Sequence, residues 1–249
     1  MTHVVMFSGG IASWATARRV VERHGSSDVT LLFTDTSSED EDLYRFLDEA
    51  AADVGAPLVR IADGRTIWQV FRDERFLGNS RVDPCSKILK RELSRRWMEE
   101  HCDPTETTVY LGYDWTEMHR FERSQKAWAP WHVESPMTEP PYRLRPEMIA
   151  DLESRGIRAP RLYGLGFAHN NCGGGCVKAG QGHFAQLLRV FPSRFAEWER
   201  NEEGVRQYLD KDVSILPGQT LAQFRERLEA GASVDLWDVG GCACFEEPS

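Results

Sequence analysis

What most constrains this chain is the exchange of short apolar runs and helix-period stretches through its first half, opened by a glycine turn. Val4 to Phe7 has the character of a buried strand, and Ala12 to His24 follows with Trp14, Ala17 and Val21 on one side and Gly25 as its stop. Val29 to Thr34 is the next strand. Residues 42 to 54 then place Leu43, Phe46, Leu47, Ala50 and Val54 at helical spacing before Gly55, and Leu58 to Ile61 is a third strand. Helical patterns at Ile67 to Phe76 and Ser86 to Glu99 lead to the strand Thr108 to Leu111. This alternation predicts an α/β fold, a doubly wound and mostly parallel sheet covered on both faces. Ligands of such sheets bind beyond the carboxyl ends of the strands. The loops there are Ser8 to Ser13, Asp35 to Asp42 and Gly112 to Arg120.

From about Trp128 the texture changes, with Pro130, Pro136, Pro140, Pro141, Pro146 and Pro160 cutting the chain into short pieces. A boundary is expected near residue 135, dividing a ligand-binding domain (1–135) from a smaller, mostly helical, cysteine-containing region (136–249). The latter holds a glycine and cysteine loop at 170–182, helices around 183–209 and 219–230, and a tail with two cysteines. A length of 249 residues is enough for a sizeable core. The net charge of −9 opposes non-specific attraction to a phosphate backbone. The arginines between Arg143 and Arg161 are interspersed with acids and prolines, which reads as a solvated surface rather than a nucleic-acid patch. The start lacks the charged and apolar pattern of a secretory signal, and no apolar run approaches the roughly 20 residues of a membrane span. A cytoplasmic location is expected, where six cysteines point to metal, cluster or thiol chemistry rather than disulfides.

Phe7-Ser8-Gly9-Gly10-Ile11-Ala12-Ser13 joins a strand to a helix, so glycine N–H groups and the helix N-terminus converge on one point suited to an anion, with the Ser8 and Ser13 hydroxyls beside it. Ser-Gly-Gly-x-x-Ser after the first strand resembles the PP-loop of the ATP pyrophosphatase superfamily, which includes PAPS reductases, tRNA thiolation enzymes and adenylating amidotransferases. Phe33-Thr34-Asp35-Thr36, followed by acids and Tyr44, resembles the segment after the second strand in the PAPS reductase branch, and places Asp35 and Thr36 beside the nucleotide. Gly112, Glu117 and Arg120 fall in a segment similar to Gly-x-x-x-x-Glu-x-x-Arg after the family's fourth strand, with Arg120 fitted to a phosphate. The resemblance implies an adenine nucleotide alpha hydrolase-like, Rossmann-like fold. It also implies a site for ATP or a PAPS/APS-type nucleotide at Ser8, Gly9, Gly10, Ser13, Asp35, Thr36, Gly112, Glu117 and Arg120, with magnesium as an accessory. Ala12 stands where many PP-loops carry Asp, which moves the comparison toward reductases. Glu39, Asp40, Glu41 and Asp42 read as a solvated helix start.

Cys85, before a helical pattern with Lys87 and Lys90, resembles the Cys-x-x-x-x-Lys element of adenylylsulfate reductases, in which the cysteine often binds an iron–sulfur cluster and the lysine, here Lys90, faces phosphate. Cys172 and Cys176 flank a glycine-rich turn, and Cys242 and Cys244 form a second pair at the tail. The two pairs together can bind zinc, whereas Cys85, Cys172, Cys176 and one tail cysteine can bind a 4Fe-4S cluster; spacing does not separate the two. The resemblance favours the cluster. Cys242 or Cys244 also occupies the place of the PAPS reductase nucleophile, although Gly-Gly-Cys-Ala-Cys-Phe differs from that family's Glu-Cys-Gly-x-His. His169 and His183 read as structural hydrogen bonders, and Cys102 as a core residue.

The expected function is that of a PAPS reductase-like enzyme of sulfonucleotide chemistry, in which a thiolate attacks sulfur and a thioredoxin-like reductant releases the product. The alternatives are an ATP-dependent adenylating sulfur transferase or nucleobase-modifying enzyme, and a nucleotide sensor without turnover.

Overall fold

The computed structural model describes residues 1–241. Five strands form one wholly parallel sheet in the order β3-β2-β1-β4-β5, with β1 Thr2–Met6, β2 Val29–Asp35, β3 Leu58–Ala62, β4 Thr107–Tyr110 and β5 His132–Glu134. From β1 the chain steps outward through β2 and β3, then returns to the other side of β1 as β4. The sheet therefore has a topological switch point between the carboxyl ends of β1 and β4.

Side chains alternate across each strand, so β1 feeds two cores. Val5 and Phe7 face one side, where they pack with α1 (Ile11–His24), α2 (Glu41–Val54), Tyr110, Met148 and Leu152. Val4 and Met6 face the other side, with Val109, Met98, Trp128 and Trp131. α2 has the helix stop that its sequence calls for: Asp40 caps the start by accepting from Asp42 N–H, and Gly55 ends it in the left-handed conformation.

After β3 come α3 (Ile67–Asp73), α4 (Pro84–Ser86), a π-helical stretch Lys87–Glu92 and α5 (Leu93–His101). α6 (Met118–Ala127) links β4 to β5, and α7 (Arg145–Ser154) and α8 (Arg161–Gly164) follow. The chain then forms α9 (Gln181–Val190), α10 (Pro192–Leu209) and α11 (Leu221–Glu229). A third core joins Val70, Phe71 and Leu89 to Phe184, Leu187, Phe195, Trp198 and Phe224. Packing thus crosses residue 135 in both directions: α7 covers the sheet, while α3 and the 84–89 segment belong to the helical core. Inside that core Glu202 accepts from the N–H groups of Ile215 (2.9 Å) and Leu221 (2.6 Å), tying α10 to the turn before α11.

Candidate functional site

A cavity of about 270 Å³ opens at the switch point. One wall is the turn after β1, with Ser8, Gly10, Ala12 and Ser13, and the facing wall is the segment after β4, with Gly112, Tyr113, Asp114, Glu117 and Arg120. Gly10 begins α1 in extended backbone and no side chain caps the helix, so its first-turn N–H groups are available at the cavity wall. Ser13 Oγ turns back and donates to Gly10 O at 2.8 Å. Gly112 allows the two walls to meet, since a Cβ there would lie 2.9 Å from Ser13 Cα and 3.0 Å from Ser13 N. Gly9 serves differently. Its φ is +75°, a Cβ would lie 2.9 Å from Leu43 Cγ, and its carbonyl accepts from Asn170 Nδ2 at 3.0 Å.

The cavity carries two cations. Arg120 pairs with Glu117 and lies over the Tyr113 ring at 4.8 Å. Arg145 lies over Tyr163 at 5.4 Å. Its neighbours in sequence are engaged elsewhere, Arg143 and Arg155 with Asp151, Arg158 with Asp42 and Arg161 with Asp40, so most of that arginine-rich stretch is structural. His169 also lines the cavity; burial, then His183, Arg145 and Arg120, push its pKa down to about 4 and keep the imidazole neutral.

Asp35 and Thr36, expected beside the nucleotide, are not among the residues that line this cavity. Asp35 accepts from Tyr44 Oη at 2.9 and 3.0 Å and from Ser37 N–H at 2.8 Å. Thr36 is buried and donates to Glu39 Oε1 at 3.0 Å. The solvated reading of the acidic run holds for Glu41, 91% exposed, and fails for Glu39 and Asp40, each 1% exposed. Asp40 binds Arg161 and Arg194, whose hydrogen bonds outweigh burial and hold its carboxyl below the usual range. Glu39 receives Lys90 Nζ at 3.3 Å and the Cys172 N–H at 2.7 Å. Lys90 is therefore buried under the cysteine loop, and it is absent from the lining of the switch-point cavity.

Residues 172–174 turn with three positive φ values: Cys172 +52°, Gly173 +61° and Gly174 +83°. Cys172 is in side-chain contact with Cys176, and that contact, then burial, then Glu39, push its thiol pKa well up. By exposed surface Cys172 is only half-buried. Cys85 is buried in the helical core, and the loop reaches its neighbour through Lys178, 3.9 Å from Asp83. Among the described residues no three His, Cys, Asp or Glu side chains assemble as a metal site. The close pair is Cys172 with Cys176, so a zinc or 4Fe-4S set is not complete within residues 1–241. Cys242 and Cys244, expected as ligands or nucleophile, lie outside the described residues. The segment that leads to them is docked on the loop: Gly241 N–H donates to Lys178 O at 3.1 Å, Ala179 bridges Gly240, and Asp238 accepts from Gln181 N–H at 2.9 Å. Val239 and Gly241 share a small cavity with Cys176, His169 and His183.

Sequence reasoning missed Asn170, Arg145, Asp114 and Tyr163 as parts of the site. No family model matches the chain, and no curated protein matches it. Among solved structures the chain is similar to the phosphoadenylyl-sulfate (PAPS) reductase from Candida auris in its phosphate complex, at 15% identity over 69% of this chain and 82% of that one, with a TM-score of 0.49. It is also similar to the NH3-dependent NAD synthetase from Campylobacter jejuni in complex with the nitrate ion, at 11% identity over 94% of this chain and 88% of that one, with a TM-score of 0.41. Among the described residues no helix is long and apolar enough to cross a membrane.

Proposed function

We propose that this chain is a PP-loop enzyme that binds an adenine nucleotide in the switch-point cavity and carries out sulfur chemistry at the adjoining cysteine loop. The observation that carries the reading is the direct tie between the two parts. Asn170 lines the nucleotide cavity and hydrogen-bonds to Gly9 O in the glycine turn, while two residues further on Cys172 is held by Glu39. The helix N-terminus, Ser8 and Arg120 suit the phosphates, and Arg145 adds a second cation at the cavity. The first turn of α1 holds no acidic residue, which favours a sulfonucleotide of the PAPS or APS type over ATP cleavage there. In that reaction a cysteine thiolate attacks the sulfonate sulfur, the S–O bond to the nucleotide breaks, and AMP or its 3′-phosphate departs with the electron pair. A thioredoxin-like dithiol then reduces the S-sulfocysteine, releasing sulfite as the dithiol becomes a disulfide.

A second reading, ATP-dependent adenylation ahead of sulfur transfer, draws on Asp114. This carboxylate lines the cavity and has no cationic partner among the described residues, so it can share a magnesium ion with the phosphates. Cys85, Cys172, Cys176 and a tail cysteine are the residues proposed to hold a 4Fe-4S cluster, with zinc as the alternative metal, and neither reaction above passes through the metal.

The deciding experiment incubates anaerobically purified protein with PAPS or APS plus reduced thioredoxin, or with ATP plus magnesium. Sulfite release supports the reductase; pyrophosphate release supports the transferase. Binding without either product leaves a nucleotide sensor. Iron, sulfide and zinc analysis of the same sample, beside Cys172→Ala and Cys176→Ala, decides the metal.

A further inference from the structure

A second cavity, of about 230 Å³, lies on another side of the cysteine loop, against α10 and the start of α3. Cys172 lines it, and so do Ser37, Trp68, Arg194, Glu197 and Trp198. Four described non-glycine residues have positive φ: Ser37, Arg75, Cys172 and Asp210. Arg75 and Asp210 follow the ends of α3 and α10, where a left-handed residue completes the helix. Ser37 (+55°) and Cys172 (+52°) have no such cause, and both face this cavity. Strained backbone of this kind collects at ligand sites, where the surroundings hold it.

The polar groups of the cavity have an uneven account. Arg194 Nη1 is committed to Asp40 at 3.0 Å and to Gly173 O, while its Nε and Nη2 donate to no described residue. Glu197, three residues along α10, makes no ion pair among the described residues and stands at the exposed edge. Residues three apart on a helix share a face, so a free guanidinium edge and a free carboxylate address the same space. Trp68 and Trp198 meet edge to face beside them, with ring centroids 4.9 Å apart. Indole faces attract ammonium groups. The Arg194 charge is met by Asp40, but its Nε and Nη2 edge stays open to a further acceptor, whereas Glu197 is met by no cation among the described residues.

We infer that this cavity binds an amino-acid-sized zwitterion beside Cys172, its carboxylate on Arg194 and its ammonium between Glu197 and the indoles. The inference rests on the reading of the cysteine loop as the reactive centre, and its test is kept separate from nucleotide binding. Calorimetric titrations of the whole protein use L-cysteine, 2-mercaptoethylamine, which lacks the carboxylate, and 3-mercaptopropionate, which lacks the ammonium. Cysteine is expected to bind at least about fivefold more tightly than either. Glu197→Gln should remove the advantage of cysteine over 3-mercaptopropionate while leaving nucleotide affinity unchanged. Absence of cysteine binding, equal affinity for all three compounds, or unchanged cysteine affinity in Glu197→Gln overturns the assignment. Loss of nucleotide binding in the parent protein would instead count against the switch-point reading alone.

Discussion

Gly112 is the residue on which the switch-point cavity turns, because its missing side chain lets the β4 loop lie against the backbone of Ser13. Gly112→Val should part the two walls and weaken nucleotide binding by more than about tenfold, read by calorimetry, while circular dichroism stays that of the parent. Glu39 bears a different load, as the buried acceptor for Thr36, Lys90 and Cys172. Glu39→Ala should cost about 3–5 kcal/mol in denaturant unfolding, the range found when one partner of a buried pair is removed. The same variant should alkylate faster at Cys172, because the turn that holds it is released. Ser8, Gly10 and Ser13 were legible as cavity residues because their motif sits where strand passes to helix, and Gly112 and Arg120 because their segment follows a strand of the same sheet. The bond from the Tyr44 hydroxyl to Asp35 was not legible, because Tyr44 returns from α2 only once that helix has packed. Asn170 gave no signal, since what it binds is a backbone carbonyl 161 residues away in sequence.

At the scale of elements, the β-α-β-α-β opening was readable because each helix there has a glycine stop and β1 and β2 each hold a continuous apolar run, broken in β3 by Arg60 alone. β5 escaped notice, being three residues long amid prolines. The helical stretch expected from Ser86 to Glu99 contains the π-helical segment Lys87–Glu92, whose wider turn carries the buried Lys90 toward Glu39; this is a tertiary demand that local propensity does not express. The 183–209 pattern divides at Phe191, with Pro192 opening α10 at the first helical position. The strap at 235–241 depends on small residues beneath it: a Cβ on Gly182 would lie 2.5 Å from Leu236 O, and one on Gly180 2.0 Å from Asp238 Oδ1. Gly182→Val should therefore detach the strap, and hydrogen exchange at the amide of Gly241, bonded to Lys178 O, should rise to the rate of open chain.

For the whole molecule, the α/β class and the parallel sheet followed from alternation, whereas the packing across residue 135 did not, because it joins segments far apart in sequence into one helical core. Burial also sets a pH dependence. His169 is pushed from 6.5 down to about 4, and burial lowers His183 and, together with His24 and the N-terminus, His3. Between those values the unfolded chain takes up protons that the folded chain refuses, so stability is full above pH 6.5 and falls as pH drops toward 4. Urea titrations at several pH values should show that decline, and His169→Gln should make it shallower.

The central claim is that an adenine nucleotide occupies the cavity between β1 and β4. Calorimetric titration of parent protein and Gly112→Val with PAPS, and separately with ATP and magnesium, tests it most directly. The account predicts saturable one-to-one binding of at least one nucleotide by the parent and its loss in the folded variant. Absence of binding by the parent, or undiminished binding by Gly112→Val, would contradict it.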